Sequence, residues 1–290
     1  MVNLSSQQIS NFRSSTFQLS SKHPIRDIES AIQFVNQRGF IFFWPIKDIL
    51  LPSLWVAVAG DRPVAEKHDD PGHITWTWKD SLLGAKRWYY AKVLRKKATM
   101  ISLEVAPYFY ALSENYGSPE DDYLILYEQG LLTQEAKLIY EALLESSPMD
   151  TVSLRHATHL TSRESDHRFS RGLAELQSDF KVIPVGVTQA GGWRYAHTYD
   201  LVHRHYPHLP EKARFIKQRD ARQKLVTLYF HSVGAAQLQD LVKLFGWQAK
   251  VVEEVVLDLV QTGSLLDGVE VENQPGEWLA LATLIGHLIN

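Results

Sequence analysis

Two stretches of the chain, residues 130–205 and 208–290, carry the same order of elements, and this repetition limits the possible folds more than any other feature. In the first, residues 133–145 put Leu138, Ala142 and Leu143 on one helical face, 148–158 reads as a short helix and 165–178 as a longer one. Residues 180–187 and 193–201 follow as two strands joined at Gly191-Gly192, with Trp193 opening the second. In the second stretch, a long helix over 211–231, a short one over 235–244 and a third over 249–261 precede a hairpin of 265–270 and 277–282.

Three helices and a hairpin are the order of a winged helix. The expected fold class is therefore mainly α with small β-hairpins (α+β), arranged as tandem winged-helix units. Upstream, residues 27–37 place Ile28, Ile32 and Val35 at helical spacing, and Gly39 ends that helix. An aromatic, irregular or short-stranded segment over 40–46 comes next, then a loop over 61–72 and a helical pattern rich in cations over 79–97. The expected domains are an N-terminal winged-helix-like unit over 1–117, a second over 118–207 and a third over 208–290. A chain of 290 residues is long enough to give them buried cores.

Composition removes several chemistries. With no cysteine there is no disulfide, thiolate zinc site, iron–sulfur cluster or cysteine nucleophile. No Gly-x-Ser-x-Gly turn and no phosphate-cradling loop ending in Lys-Ser/Thr occurs. The first 18 residues lack the charged start and apolar block of a signal peptide, and the apolar stretch 49–60, which holds Pro52, is far short of the roughly 20 residues that span a bilayer. A cytoplasmic protein without a membrane partner is expected.

The net charge of −3 leaves any attraction for phosphate to local patches. One is clear: Lys79, Lys86, Arg87, Lys92, Arg95, Lys96 and Lys97 against the single Asp80 give +6 over residues 79–97. This is a phosphate surface or a solvated helix face. Arg163, Arg168 and Arg171 accompany the helix over 165–178, where they grip nucleic acid or pair with Glu164, Asp166 and Glu175. Residues 250–290 carry −6, which repels phosphate and suits bracing or a protein partner.

Five of eight tryptophans lie in the first third of the chain. Phe42, Trp44, Trp76 and Trp78 form a base-stacking pocket or fill a core, and on a strand Trp76 and Trp78 would share one face. His156 with His159, and His203, His205 and His208, are weighed as metal ligands against ordinary helix and linker histidines; no metal and no cofactor are expected.

The C-terminal half resembles the winged-helix DNA glycosylases of the AlkZ and YcaQ type, which act on alkylated purines and crosslinks. Phe169-Ser170-Arg171, Leu173, Leu176, Trp193, Ala221-Arg222, Leu228-Tyr229 and Ser232-Val233-Gly234-Ala235 carry the likeness. Trp247, residues 256–259 and Trp278-Leu279 continue it in the same order, and weaker similarity reaches back to residue 28. The resemblance implies tandem winged helices holding duplex DNA in a concave channel, and excision of alkylated bases.

Two departures accompany it. The family's catalytic signature is a pair of glutamines one residue apart after the glycine that ends an early helix. Here Phe42 and Trp44 take those places. Amides orient water without titrating, whereas Phe42 has no hydrogen-bonding group and Trp44 only a donor. The nearest carboxylate, Asp48, is either a substitute base or a turn residue. The family also has a further C-terminal β-barrel, and this chain stops at Asn290 after its last hairpin, so part of a DNA-gripping surface is expected to be missing. The expectation is a duplex-DNA-binding relative of alkylpurine glycosylases that recognises damage, with no catalytic residue assigned. The alternative is a winged-helix transcription regulator or protein-interaction module.

Overall fold

The computed structural model describes residues 2–19, 25–115, 117–192 and 194–286, so Trp193 lies outside the described residues. The fold is α+β. By contacts the chain divides into two compact units, one of residues 1–75 with 218–290 and one of residues 76–217. The boundaries near 117 and 207 follow element order, whereas this division falls at 75 and 217.

The first unit begins with β1 (Val2–Leu4) and α1 (Ser6–Thr16). Ser5 caps α1 through Gln8 N–H while the Gln8 side chain accepts from Ser5 N–H, a reciprocal capping box. α2 (Ile28–Arg38) starts at Asp27, whose carboxylate takes Ser30 N–H, and stops at Gly39 with φ 81°, as its sequence indicates. β2 (Phe40–Phe42) is buried throughout, and α3 (Leu54–Ala59) is capped by Ser53.

α4 (Ile74–Leu82) leads into the second unit. Trp76 and Trp78 lie on this helix and not on a strand, so about 200° of helical rotation separates them. Trp78 turns inward and Trp76 stays half-buried. The helix expected to run on to Lys97 ends at Leu82. A Cβ on Gly84, at φ 78°, would lie 2.5 Å from the Val185 carbonyl oxygen, so the chain passes close to that backbone. Beyond it, the aromatic and β-branched residues form β3 (Tyr89–Ala91) and β4 (Thr99–Ile101), an antiparallel pair with Tyr89 opposite Ile101.

α5 (Ala106–Tyr110) and α6 (Asp122–Glu128) precede α7 (Gln134–Glu145), whose cap is Thr133. Then come β5 (Met149–Asp150), α8 (Thr151–Ala157) and α9 (Asp166–Ser178), followed by the hairpin β6 (Val182–Thr188) and β7 (Ala196–Leu201). The sheet order is β5-β7-β6. Leu154, Phe169, Leu173, Leu176 and Leu201 close the core over Ile139 and Leu143 of α7. The unit ends with α10 (Val202–His205) and α11 (His208–Ala213).

The long helix expected over 211–231 is two helices. α11 ends at Ala213, and α12 (Gln218–Val233) begins after a turn in which Phe215 is 83% exposed. No glycine or proline marks this break, and the boundary between the units falls in it.

α12 is followed by β8 (Ala235–Ala236), α13 (Leu238–Phe245), α14 (Ala249–Gln261), β9 (Leu265–Val271), β10 (Gln274–Leu281) and α15 (Ala282–Gly286). As in the second unit, the short strand before the second helix pairs with the last strand of the hairpin. Here the hairpin's free edge takes β1 in parallel, Asn3 opposite Glu270, and Leu4, Ile9, Val269 and Trp278 share one core. Arg13 of α1 secures this closure by donating to the carbonyls of Val233 at 3.0 Å and Ala235 at 2.7 Å.

Candidate nucleic-acid interface

All ten cations singled out in the sequence belong to the second unit. Lys86 occupies a left-handed turn, φ 54°, between α4 and β3. Between β3 and β4 the chain makes a tight turn in which Arg95 and Lys96 both take φ 55°. Left-handed backbone costs about 1–2 kcal/mol per non-glycine residue. Thr99, fully buried, braces the turn by accepting from Leu94 N–H at 3.1 Å and donating to the Lys97 carbonyl at 2.8 Å. Lys97 N–H donates to the Leu94 carbonyl at 2.9 Å and closes the turn, with both left-handed cations exposed at its tip.

The turn packs on α9. Gln177 of that helix accepts the Lys92 backbone N–H at 3.1 Å, tying the base of the basic segment to it. Helix α9 is itself held against α7 by Gly172, where a Cβ would come within 2.9 Å of the Ala136 nitrogen. With Phe169, Leu173 and Leu176 inward, Arg168 and Arg171 are outward and exposed, and Arg163 is exposed on the turn just before them. Arg168 is partly neutralised by Glu135 at 3.2 Å. Among the described residues, Lys86, Lys92, Arg95, Lys96, Lys97, Arg163 and Arg171 make no ion pair.

A groove of about 340 Å³ opens where Lys92 meets α8, α9 and β7, with Arg155, Ser170, Tyr195 and His197 in its lining. The Arg155 guanidinium is engaged by Asp166 and lies 5.3 Å from the Phe169 ring centroid, so among the described lining residues Lys92 is the cation without an ion pair. Burial first, and then the charge of Lys97, lowers the Lys92 pKa below its ordinary value.

Behind the groove is a polar cluster that sequence reasoning missed. Lys79, counted above with the phosphate-facing cations, is 2% exposed and paired with Asp80 at 2.6 Å. Its ammonium also reaches the Tyr195 hydroxyl at 3.1 Å and His197 Nε2 at 3.3 Å, and Trp76 Nε1 donates to the same hydroxyl at 3.1 Å. Tyr195 donates to the Asp80 carboxylate, at 3.0 Å to the nearer oxygen. Burial, and then the nearby Lys79 ammonium, pushes the His197 pKa down to about 4, so the imidazole is neutral at pH 7 and Nε2 accepts. Burial pushes Tyr195 up to about 12. Lys79 and Asp80 thereby leave the phosphate-facing set together. No local signal announces the cluster, since its two halves are more than a hundred residues apart.

The expected stacking pocket is corrected at two of its members. Phe42 is 0% exposed, and Trp78 is 8% exposed, so both rings pack in cores and offer no free face to a base. Trp44 is half-buried and tilted on Phe43, with ring centroids 5.2 Å apart. Asp48 is the exposed, left-handed residue, φ 60°, of a turn closed by Ile49 N–H to the Ile46 carbonyl at 3.2 Å, in keeping with its turn reading.

The profile of the AlkZ-related family matches residues 25–246. The chain belongs to the AlkZ-related family. Among solved structures, the Streptomyces sahachiroi DNA glycosylase AlkZ is similar over 99% of this chain and 72% of that one, with a TM-score of 0.61 at 12% identity. At that identity the likeness is one of fold. No curated protein sequence matches the chain. Within the described residues, no helix of this AlkZ-related chain is long and apolar enough to cross a membrane.

Proposed function

We propose that this AlkZ-related protein binds duplex DNA and inspects it for alkylated or otherwise damaged bases, using tandem winged helices. The observation that carries the reading is the docking of the strained Arg95-Lys96 turn on α9, the helix that presents Arg168 and Arg171. On this reading α7, β5, α8, α9 and the β6-β7 hairpin form one winged helix, with α9 as the helix that meets DNA. The matching series α12, β8, α13, α14 and β9-β10 forms another. In α14 the exposed Glu253 and Glu254 disfavour phosphate, and that surface suits bracing or a protein partner. Phe42 and Trp44, at the places of the family's paired glutamines, do not orient a water nucleophile, so recognition is assigned without excision by that chemistry.

Fluorescence anisotropy with alkylated and unmodified duplexes of one sequence, measured across a salt series, tests this. Tighter binding to the alkylated duplex, with a log–log salt slope of about −0.9 per phosphate neutralised, is expected. Absence of any salt dependence would sink DNA binding. Release of 7-methylguanine would restore an enzymatic role, and sequence-selective binding to unmodified DNA would indicate a regulator.

A further inference from the structure

The second unit also contains a cavity of about 290 Å³ between residues 86–107 and 205–212, separate from the Lys92 groove. Its size is at the lower end for pockets that enclose a small ligand, roughly 300 Å³. Leu103, Ala106, Pro107 and Leu209 make its apolar wall, with the rings of Tyr89 and Tyr206. The exposed members of its lining include Lys86, His208 and Lys212, which therefore mark its mouth; among the described residues no carboxylate lines it, and Glu211 lies 3.7 Å from His208 Nδ1.

Tyr206 is the organised element. Its hydroxyl donates to the Trp88 carbonyl at 3.1 Å, its ring lies 5.9 Å from that of Tyr89, and His205 meets it edge-on at 4.7 Å. The Lys86 ammonium is 5.9 Å from its ring centroid. The ring is thus held in place by Trp88, Tyr89 and His205 while half-buried, with a cation beside it. Burial, and then Lys86, lowers the His205 pKa, leaving a neutral imidazole able to hydrogen-bond at this wall.

Apolar walls disfavour a bare inorganic anion, and a lining that carries two lysines disfavours a cation. A flat ring system joined to a phosphate satisfies both conditions. We propose that this cavity binds an unpaired nucleotide of a DNA strand, its base against Tyr206 and its phosphate on Lys86 and Lys212. The inference rests on the DNA-binding reading for its source of nucleotides, because Lys86 belongs to the same basic segment as Lys92 and Lys97.

Calorimetric titration of the full chain with 2′-deoxyadenosine 5′-monophosphate and with deoxyadenosine tests the cavity without any duplex. Saturable binding is expected, tighter for the nucleotide than for the nucleoside. Tyr206→Leu weakens both by about tenfold, the order of one base–aromatic stack, and Tyr206→Phe keeps most of the binding. Lys212→Ala, at an exposed position, narrows the gap between nucleotide and nucleoside, the double variant with Lys86→Ala closes it, and the pair keeps the test decisive if the Tyr206→Leu chain fails to fold. The proposal is overturned by no saturable nucleotide binding, by equal binding of nucleotide and nucleoside, or by an unaffected, folded Tyr206→Leu chain. Salt-dependent binding of duplex with no nucleotide binding defeats the cavity alone. Nucleotide binding without duplex binding defeats the duplex reading alone.

Discussion

Lys79 and Asp80 are neighbours in sequence and form a salt bridge at 2.6 Å within a largely buried cluster that reaches Tyr195 and His197 of the β6-β7 hairpin. Adjacent residues on a helix point about 100° apart, so this pair meets only because the long lysine side chain folds back toward the hairpin. The bridge thereby connects α4 to the strand that lines the Lys92 groove.

Removing one partner of a buried pair leaves the other charge without compensation, at a cost of about 3–5 kcal/mol. Asp80→Ala and Lys79→Ala are each expected to lower unfolding free energy by about that amount. The double variant Lys79→Met with Asp80→Leu recovers much of the loss. Urea denaturation measures all three, and additive losses in the double variant would refute the coupling.

His197 makes stability depend on acidity. Its pKa falls from an ordinary 6.5 to about 4 on folding, so the folded state resists a proton that the unfolded state accepts. The contribution is fully present above pH 6.5 and is lost as pH falls toward 4. Between pH 7 and pH 5 the loss from this residue is about 2 kcal/mol. Burial also lowers His203, His205 and His231, so the whole-chain effect is larger. His197→Gln isolates the one contribution: denaturation at both pH values shows a smaller drop in the variant, and an equal drop rules the assignment out.

The turn at Arg95 and Lys96 separates stability from binding. Lys96→Gly removes the left-handed penalty and raises stability by about 0.5–1 kcal/mol after the entropy of glycine is charged. On the proposed DNA-binding reading, the same change removes one phosphate contact and flattens the salt slope by about 0.9. Opposite signs in denaturation and in anisotropy are the expected pair. A loss in both would show the turn to be structural only.

Gly172 sets the close approach of α9 to α7. Helix propensity alone favours alanine by about 1 kcal/mol. The Gly172→Ala Cβ nevertheless meets backbone atoms at 2.9 and 3.1 Å, which no side-chain rotation relieves. A net loss of about 1–2 kcal/mol is expected. Gly192→Ala, with nothing within 4 Å of its Cβ, is the neutral control.

Local chemistry was sufficient to read α2 between Asp27 and Gly39, α7 from the face of Leu138, Ala142 and Leu143, and α14 over Ala249–Gln261. It also placed both C-terminal hairpins and identified the cations of the candidate interface. Those features arise from neighbours within a few residues: caps, apolar periodicity, turn glycines and clustered charge. Contacts between distant residues decided the remainder. Gly84 passing the Val185 carbonyl accompanies the end of α4, and Arg13 donating to Val233 joins the N-terminal helix to a hairpin from the other end of the chain. Neither contact lies within the span over which helical or strand periodicity acts. Tertiary packing likewise converted Lys79 from a surface cation into a buried one, since the depth of a lysine is set by what folds over it.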